Sequence, residues 1–515
     1  MKKNKIEILI LIVILAIASF LIFKNLGQQM LWNDEAETAV IARNILKYGY
    51  PSPWDGKNLI TQQNGSETVQ IGNAYFWAWH PWLQDYLTAG SFKIFGVNNF
   101  TARLPFALAA VLSIFVLYLL VKRLFQNSSL ALLSSLLLSL SVPFLLYSRQ
   151  GRYYILAALF GLLVLYFYDK IIKEKKGIFA LALFSILLFH SNFYAAGALF
   201  LSLILFFLLY DFSKERLKKL IIAALFFLIF TVPWLYFFYN GLHAQPTLKM
   251  VAGNIYLYLN QFHYIFPLIL LPLLFFIWPD KKRKGKLKRK VSLLIFPILV
   301  SWIFMSFILA RSDAYLSLRY ITYVVPLFAT IFALILSWLW QKSPAIAFLV
   351  AIVFIFTNIF SLGWLGILNP ILKSAGGKQK TIAAQSYLKD YLYEINHNYI
   401  GPISGIVKFL RKNIQPGDTL ETNYEQESII FYTDAKIINR VANPQSPVFK
   451  LTHSPYTADW IIKRKYWPEI QIPESFQEIE IPYPDLPWDN LPEIDYHKFQ
   501  SVSGFPKVKI YKPAQ

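Results

Sequence analysis

The run IFALALFSILLFHSNFYAAGALFLSLILFFLLY, residues 178–210, decides how this chain is threaded. As one α-helix its 33 residues would be about 50 Å long, against a bilayer hydrocarbon core of about 30 Å. Lysines flank it on both sides, Lys170–Lys176 before and Lys214–Lys219 after. Basic loops stay on the cytoplasmic side, so both ends face the same way and the run must cross twice. It reads as a hairpin of two short spans with its tip near His190-Ser191-Asn192.

The same reading extends outward. Of the 515 residues 56% are hydrophobic, 17% aromatic and only 15% charged, where soluble domains carry about 25% charged residues. The apolar residues gather in about eleven runs, near 7–27, 100–121, 128–147, 153–169, 178–190, 193–210, 219–239, 256–278, 291–310, 318–340 and 344–366. This is the pattern of an α-helical polytopic membrane protein. A net charge of +21 would suggest nucleic acid in a soluble protein. Here Lys and Arg sit in short blocks between apolar runs and act as topology signals, so membrane lipids are expected contacts and nucleic acid is not. No cysteine is present, which excludes disulfides, thiol catalysis and cysteine-based metal sites. Ala16-Ile17-Ala18 mimics a signal-peptide cleavage site, but the apolar core runs on to Phe23, so an uncleaved signal anchor is expected.

Lys2/Lys3/Lys5, Lys122/Arg123, Lys170–Lys176, Lys214–Lys219, Lys281–Lys290 and Lys342 are all expected to be cytoplasmic. Successive blocks must then be separated by an even number of crossings. That parity puts the 28–99 loop, Arg149-Gln150-Gly151-Arg152, His190, the 240–255 loop, Arg311–Arg319 and everything after about 368 on the outer face. Residues 1–368 are then a transmembrane domain of the plasma membrane with a cytoplasmic N-terminus, and 369–515 an extracytoplasmic domain.

In the first outer loop, Asp34–Tyr48 reads as a helix with Ile41, Ile45 and Tyr48 on one face and Gly49 and Pro51 as stops. His80–Phe95 is a second amphipathic piece, and Trp77, Trp79 and Trp82 suit the headgroup zone. The C-terminal part reads as a small α/β domain. Its expected helices are Ile403–Asn413 and Glu425–Tyr432. Its strands are Thr419–Thr422, Lys436–Ile438, Asp459–Lys463 and Lys507–Tyr511, with Pro482–His497 irregular.

Chemistry concentrates in Trp32-Asn33-Asp34-Glu35-Ala36-Glu37, three carboxylates where membrane meets water. Helix capping explains two of them, with Asp34 as N-cap and Glu37 at N3, and acids suit the positive end of a helix. A general base or metal ligand explains all three, because a carboxylate losing bulk water has its pKa raised toward proton abstraction. On composition alone the two weigh equally. Arg149, Arg152, Arg311 and Arg319 lie on the same face. Each alone is explained by snorkelling to headgroups. As a set on a face normally depleted of arginine they suit a lipid-linked phosphate, which guanidinium grips bidentately. His80, His190, His243 and His263 show no metal-ligand spacing, and interfacial hydrogen bonding explains each. Asp85 is a candidate second acid that a solvated helix face explains equally well, and Asp313 can simply pair with Arg311. There is no P-loop and no G-x-G-x-x-G.

The order of features resembles the GT-C glycosyltransferases that use polyprenyl-phosphate sugars, in particular bacterial transferases similar to protein O-mannosyltransferases and lipid A aminoarabinose transferases. The matching residues are Asn33-Asp34-Glu35-Ala36, His80-Pro81 with Lys93-Ile94-Phe95-Gly96, and Ala102-Arg103-Leu104-Pro105. Further matches are Ser148-Arg149-Gln150-Gly151-Arg152 and Arg319-Tyr320 followed by Pro326. The resemblance covers roughly residues 1–345; the tail, with Pro484–Asn490 and His497, is similar to tails of some bacterial members. It implies a GT-C-like membrane domain and an acid of the first outer loop as base on the acceptor. Carried over, Asp34 is the base and Glu35 supports it or contacts sugar or metal. Arg149, Arg152 and Arg319, with His80 and His190, are candidates for holding substrate or the lipid phosphate. Where several relatives have a second acid near 147–152 this chain has Gln150, which leaves a divalent metal an open question. Asp85 is a weak substitute.

The expected function is transfer, with inversion, of a sugar from a polyprenyl-phosphate donor to a lipid, glycan or protein acceptor on the outer face. No nucleotide site is visible, so the donor sugar must already be across the membrane. A lipid-linked glycan transporter would line several spans with charge, and these spans carry little. A non-catalytic scaffold leaves the acid-and-arginine face unexplained.

Overall fold

The computed structural model describes residues 2–61, 67–238, 247–274, 284–308, 318–374, 380–398, 401–438, 458–487, 490–500, 502 and 504–514. Its first elements are α1 (Lys2–Phe23), α2 (Asn33–Tyr48), the hairpin β1 (Thr68–Ile71) and β2 (Ala74–Trp77), and α3 (Leu83–Phe95). The bundle continues with α4 (Asn99–Phe125), α5 (Ser128–Ser139), α6 (Val142–Ser148), α7 (Tyr154–Glu174), α8 (Ile178–Ser191), α9 (Phe193–Phe206) and α10 (Lys214–Phe238). It ends with α11 (Leu248–Phe262), α12 (Lys284–Ile308), α13 (Val324–Lys342), α14 (Pro344–Phe356) and α15 (Ile359–Ser374).

Seven described helices are long and apolar enough to cross a membrane, or nine segments if each of the bent pairs α5–α6 and α14–α15 counts as one. The protein is a multi-pass membrane protein, but the count of eleven is not reached on this measure. One reason is the run 256–278. Its α11 ends at Phe262, and after a turn and Pro267 the described chain forms a short 3-10 helix, Leu268–Leu273, containing Pro272. Each proline withholds a backbone donor and breaks a continuous α-helix. The run 178–210 divides at Asn192, close to the expected tip. Asn192 is extended, ends α8 and caps α9 by accepting from the Ala195 N–H at 3.0 Å, which satisfies one of the donors a helix start leaves open.

The basic blocks meet at one end of the bundle. Lys122 at the end of α4 pairs with Glu7 near the start of α1 (2.5 Å), and Arg123 with Asp169 (3.0 Å) and Glu174 (2.6 Å) at the end of α7. Arg289 near the start of α12 reaches Asp169 (3.1 Å) and Asp211 (2.7 Å). This common end is what the parity of crossings demands.

At the other end lie α2, α3 and the C-terminal domain. That domain comprises α16 (Tyr387–Glu394), α17 (Pro402–Asn413), β3 (Thr419–Thr422), α18 (Gln426–Tyr432), β4 (Lys436–Ile437), β5 (Trp460–Lys463), β6 (Phe476–Pro484) and β7 (Lys507–Pro513). The sheet order is β4-β3-β5-β7-β6, parallel across β4, β3 and β5 and antiparallel across β5, β7 and β6. Part of the stretch expected to be irregular is strand β6. Pro482 and Pro484 are tolerated there because β6 is an edge strand whose register slips between Ile481 and Pro484. Leu31, Val40, Ile41 and Trp77 share one buried apolar cluster with Ile406, Leu410, Leu420, Ile429 and Ile462, each such side chain stabilising by about 1.5–3 kcal/mol when fully buried. Arg43 of α2 also donates to the carbonyls of Ile430 (3.1 Å) and Phe431 (3.2 Å) near the end of α18. The first loop and the sheet domain therefore form one layer over this end of the bundle.

Candidate active site

The acids of 32–37 divide by helical phase. Helix α2 starts at Asn33, and its N-cap, Trp32, is extended and makes no side-chain capping bond. The expected Asp34 cap with Glu37 at N3 is thus not formed; Trp32 instead donates its indole N–H to Gln150 Oε1 at 2.5 Å. One turn on, Glu37 and Thr38 share a face with Asp34, while Glu35 points to another.

Glu35 is completely buried and both oxygens are used. Arg103 of α4 grips it through Nε–Oε1 (2.7 Å) and Nη2–Oε2 (2.6 Å), and the Gly151 N–H donates to Oε1 (2.7 Å). Arg103 also donates to the carbonyls of Leu26, Gln29 and Met30. Glu35 thereby ties the start of α2 to α4 and to the 149–152 turn.

Asp34 faces the other way. Its Oδ2 accepts from Arg319 Nη1 at 3.1 Å and lies 4.0 Å from Arg152 Nη2. Its side chain is 20% exposed, whereas those of Glu35 and Glu37 are 0% exposed. Of the three acids only Asp34 offers surface to another molecule. The hydroxyls of Tyr147 and Tyr154 and the Arg152 Nε are buried without a hydrogen-bond partner among the described residues. The Tyr154 ring stands 5.4 Å from the Arg319 guanidinium.

Glu37 lies behind Asp34. Its Oε1 accepts from Arg152 Nη1 (2.5 Å) and is 2.8 Å from His80 Nε2. Burial alone would raise the Glu37 carboxyl, but the charges of Arg152 and His80 outweigh it and hold it down at about 2. On the far side of His80, Nδ1 lies 3.8 Å from Asp85 Oδ2. Asp85 is fully buried, which overturns the solvated-face reading, and neither oxygen has a hydrogen bond of normal geometry among the described residues. Burial pushes Asp85 up to about 7, opposed by His80 and assisted by the Glu37 charge.

The remaining candidates disperse. Arg149 donates to the carbonyls of Ile22 (2.7 Å), Lys24 (2.8 Å) and Asn25 (3.2 Å), closing the end of α1. No described contact joins it to Asp34. His190 lies 3.1 Å from the Phe230 carbonyl and edge-on to Trp234, also apart from the acids. His263 is buried, its ring 3.9 Å from that of Tyr264, and neither ring nitrogen has a hydrogen-bond partner among the described residues. Arg311, Asp313 and His243 lie outside the described residues. Among the described residues no group of three or more His, Asp or Glu side chains is arranged to hold a metal ion.

Two site residues escaped the sequence reading, both from the C-terminal domain. Glu493, buried, takes Arg319 side-on through Nε–Oε1 (2.7 Å) and Nη2–Oε2 (3.0 Å). Glu427 of α18 is fully buried, with Oε1 accepting from Gln426 and Oε2 without a partner among the described residues. Burial raises it to about 8, eased by Gln426 and reinforced by the charges of Glu37 and Asp34. Neither residue has a local signal, since Glu493 meets Arg319, and Glu427 comes near Asp34 and Glu37, only when the sheet domain closes on α2 and the 318–320 turn.

Comparison with known proteins shows which folds this arrangement is built on. Residues 79–237 match the family described as dolichyl-phosphate-mannose-protein mannosyltransferase. ArnT from Cupriavidus metallidurans in the apo state superposes with a TM-score of 0.61 at 16% identity, over 88% of this chain and 92% of that one. The same protein bound to undecaprenyl phosphate gives 0.58 at 15% identity, over 88% and 93%. At such identities the likeness is one of fold. An uncharacterized protein of Aquifex aeolicus (strain VF5) is 29% identical over 233 residues, 45% of this chain and 44% of that relative, so the match spans less than half its length. The chain thus shares its fold with ArnT, and its match to the mannosyltransferase family lies within residues 79–237, in line with the resemblance in its motifs.

Proposed function

We propose that this protein is a membrane glycosyltransferase moving a sugar from a polyprenyl-phosphate donor to an acceptor hydroxyl, on the outer face of the membrane and with inversion. The observation that carries the reading is Asp34, the one acid of Asp34, Glu35 and Glu37 with accessible surface, set between two buried arginines, Arg319 at 3.1 Å and Arg152 at 4.0 Å. The structural neighbour that binds undecaprenyl phosphate supports the donor class.

In this mechanism the acceptor oxygen attacks the anomeric carbon from the face opposite the phosphate. The carbon–oxygen bond to phosphate breaks and its electron pair stays on the phosphate. The acceptor proton passes to Asp34, which later returns it to water. Arg152 and Arg319 stabilise the charge on the leaving phosphate in a site with little water. Glu35, with both oxygens engaged, positions Asp34 by fixing the first turn of α2. Glu37 and His80 hold Arg152. The 369–515 domain completes the outer wall of the site.

The test is incubation of membranes containing the protein with labelled polyprenyl-phosphate sugars. The account expects label to move to an acceptor and polyprenyl phosphate to be released. Unchanged donors across a panel of sugars, with folded protein present, would remove the transferase reading.

A further inference from the structure

Between β6 and β7 the described residues 485–487 and 490–500 leave the sheet, and Ile494 and Phe499 pack against the membrane core. This connection is fastened at several points. Asp485 accepts from Arg464 at 2.6 Å, and the Asn490 carbonyl accepts from Gln150 at 3.2 Å. Asp495 accepts from Gln261 at 2.8 Å and from the Tyr264 hydroxyl and pairs with Lys380. His497 Nε2 lies 2.8 Å from Glu394. Between these fastenings Glu493, with no exposed side-chain surface, is delivered to Arg319.

We infer that Glu493 is a positioning residue of the transfer site, acting through Arg319 on both Asp34 and the donor phosphate. This rests on the function proposed above. Glu493 fills the Nε and Nη2 edge of the guanidinium, leaving Nη1 for Asp34. One arginine charge is thus shared between two carboxylates. Without that sharing, the full guanidinium charge would bear on Asp34 and on the phosphate, opposing proton uptake by the one and strengthening binding of the other. The other groups around Asp34 are Arg152, Glu35 and Glu37, the Tyr154 and Tyr424 hydroxyls and Glu427. Of these, Tyr154 also feels the Glu493 charge, so an Arg319→Gln background is needed to separate that route from the one through Arg319. Removal of the Glu493 charge therefore has opposite effects on binding and on chemistry, whereas a loop residue with only a structural role weakens both.

The experiment uses full-length protein in lipid nanodiscs. Affinity for undecaprenyl phosphate is measured directly, and kcat is measured against pH with whichever donor the wild type turns over. Glu493→Gln is expected to bind undecaprenyl phosphate at least about threefold more tightly. Its kcat is expected to fall about tenfold or more, with the acidic limb of the profile moved to lower pH. Asp495→Asn, which loosens the same loop away from Arg319, leaves the position of that limb unchanged. In an Arg319→Gln background, adding Glu493→Gln changes neither quantity. Weaker binding with an unmoved profile, or an effect of Glu493→Gln that persists without Arg319, overturns the inference. If the wild type binds undecaprenyl phosphate but transfers no sugar, the transferase reading fails, while the binding measurements still decide whether Glu493 acts through Arg319.

Discussion

Arg319 Nη1 lies 3.1 Å from Asp34 Oδ2 across 285 positions of sequence. The contact joins the first turn of α2 to the short turn before α13, and so couples the proposed base to the proposed phosphate ligand. The contact keeps a cation beside the proposed base, where phosphate charge would appear.

Arg319→Lys is expected to impair transfer although charge is retained. Lysine offers a point charge and cannot reach Glu493 and Asp34 with separate nitrogens at once. Steady-state kinetics should show a reduction of about tenfold or more in kcat/KM, about 1.4 kcal/mol in transition-state binding. An equal rate would mean that the geometry of Arg319 does not matter.

Glu35→Gln should act on folding before chemistry. It leaves the buried Arg103 charge without its carboxylate, and breaking such a pair costs about 3–5 kcal/mol. Thermal unfolding of the purified protein in detergent is expected to show a clear drop in midpoint, and membranes should contain less folded protein. Normal stability combined with complete loss of transfer would instead make Glu35 a catalytic group.

The contrast between Glu35 and Asp34 shows how far the sequence could be read. Apolar runs and basic blocks are local and additive, so the bundle, its two polar ends and the break at Asn192 were legible. The importance of Asn33-Asp34-Glu35 was legible too, as an excess of charge in an apolar setting. Which acid faces solvent was not, because that follows from where Arg103 and Arg319 arrive in space. Arg149 looked equivalent to Arg152 in sequence, yet one closes α1 and the other holds Glu37. The contributions of Glu427 and Glu493 depend on the docking of a separate domain, which no local pattern records.

Stability should decline toward alkaline pH. Asp85 and Glu427 are raised to about 7 and about 8 in the folded protein. Over the range between their ordinary values and these, the folded state binds more protons than the unfolded state, so unfolding becomes easier as pH rises. Glu37, depressed to about 2, contributes stability above the ordinary carboxylate range that is lost only in acid. Unfolding midpoints measured from about pH 5 to about pH 9 should therefore fall in the wild type and fall less in Asp85→Asn and Glu427→Gln. Parallel curves for all three proteins would contradict these buried neutral acids.

Orientation is open to a direct check. A reporter that is active only outside the cytoplasm, fused after Ala384 in the segment leading to α16, should be active. The same reporter placed at Lys175, between α7 and α8, should be silent. A reversed pattern would move the site to the cytoplasmic face and remove the argument for a lipid-linked donor.

The most direct measurement is the single-turnover rate of sugar transfer from a polyprenyl-phosphate donor by wild type and by Asp34→Asn, each shown to be folded and to bind undecaprenyl phosphate. The amide keeps the shape of Asp34 but cannot take the acceptor proton. The account predicts retained binding and a rate lower by about 10²–10⁴-fold or more. Transfer by Asp34→Asn at the wild-type rate would contradict the assignment of Asp34 as the base.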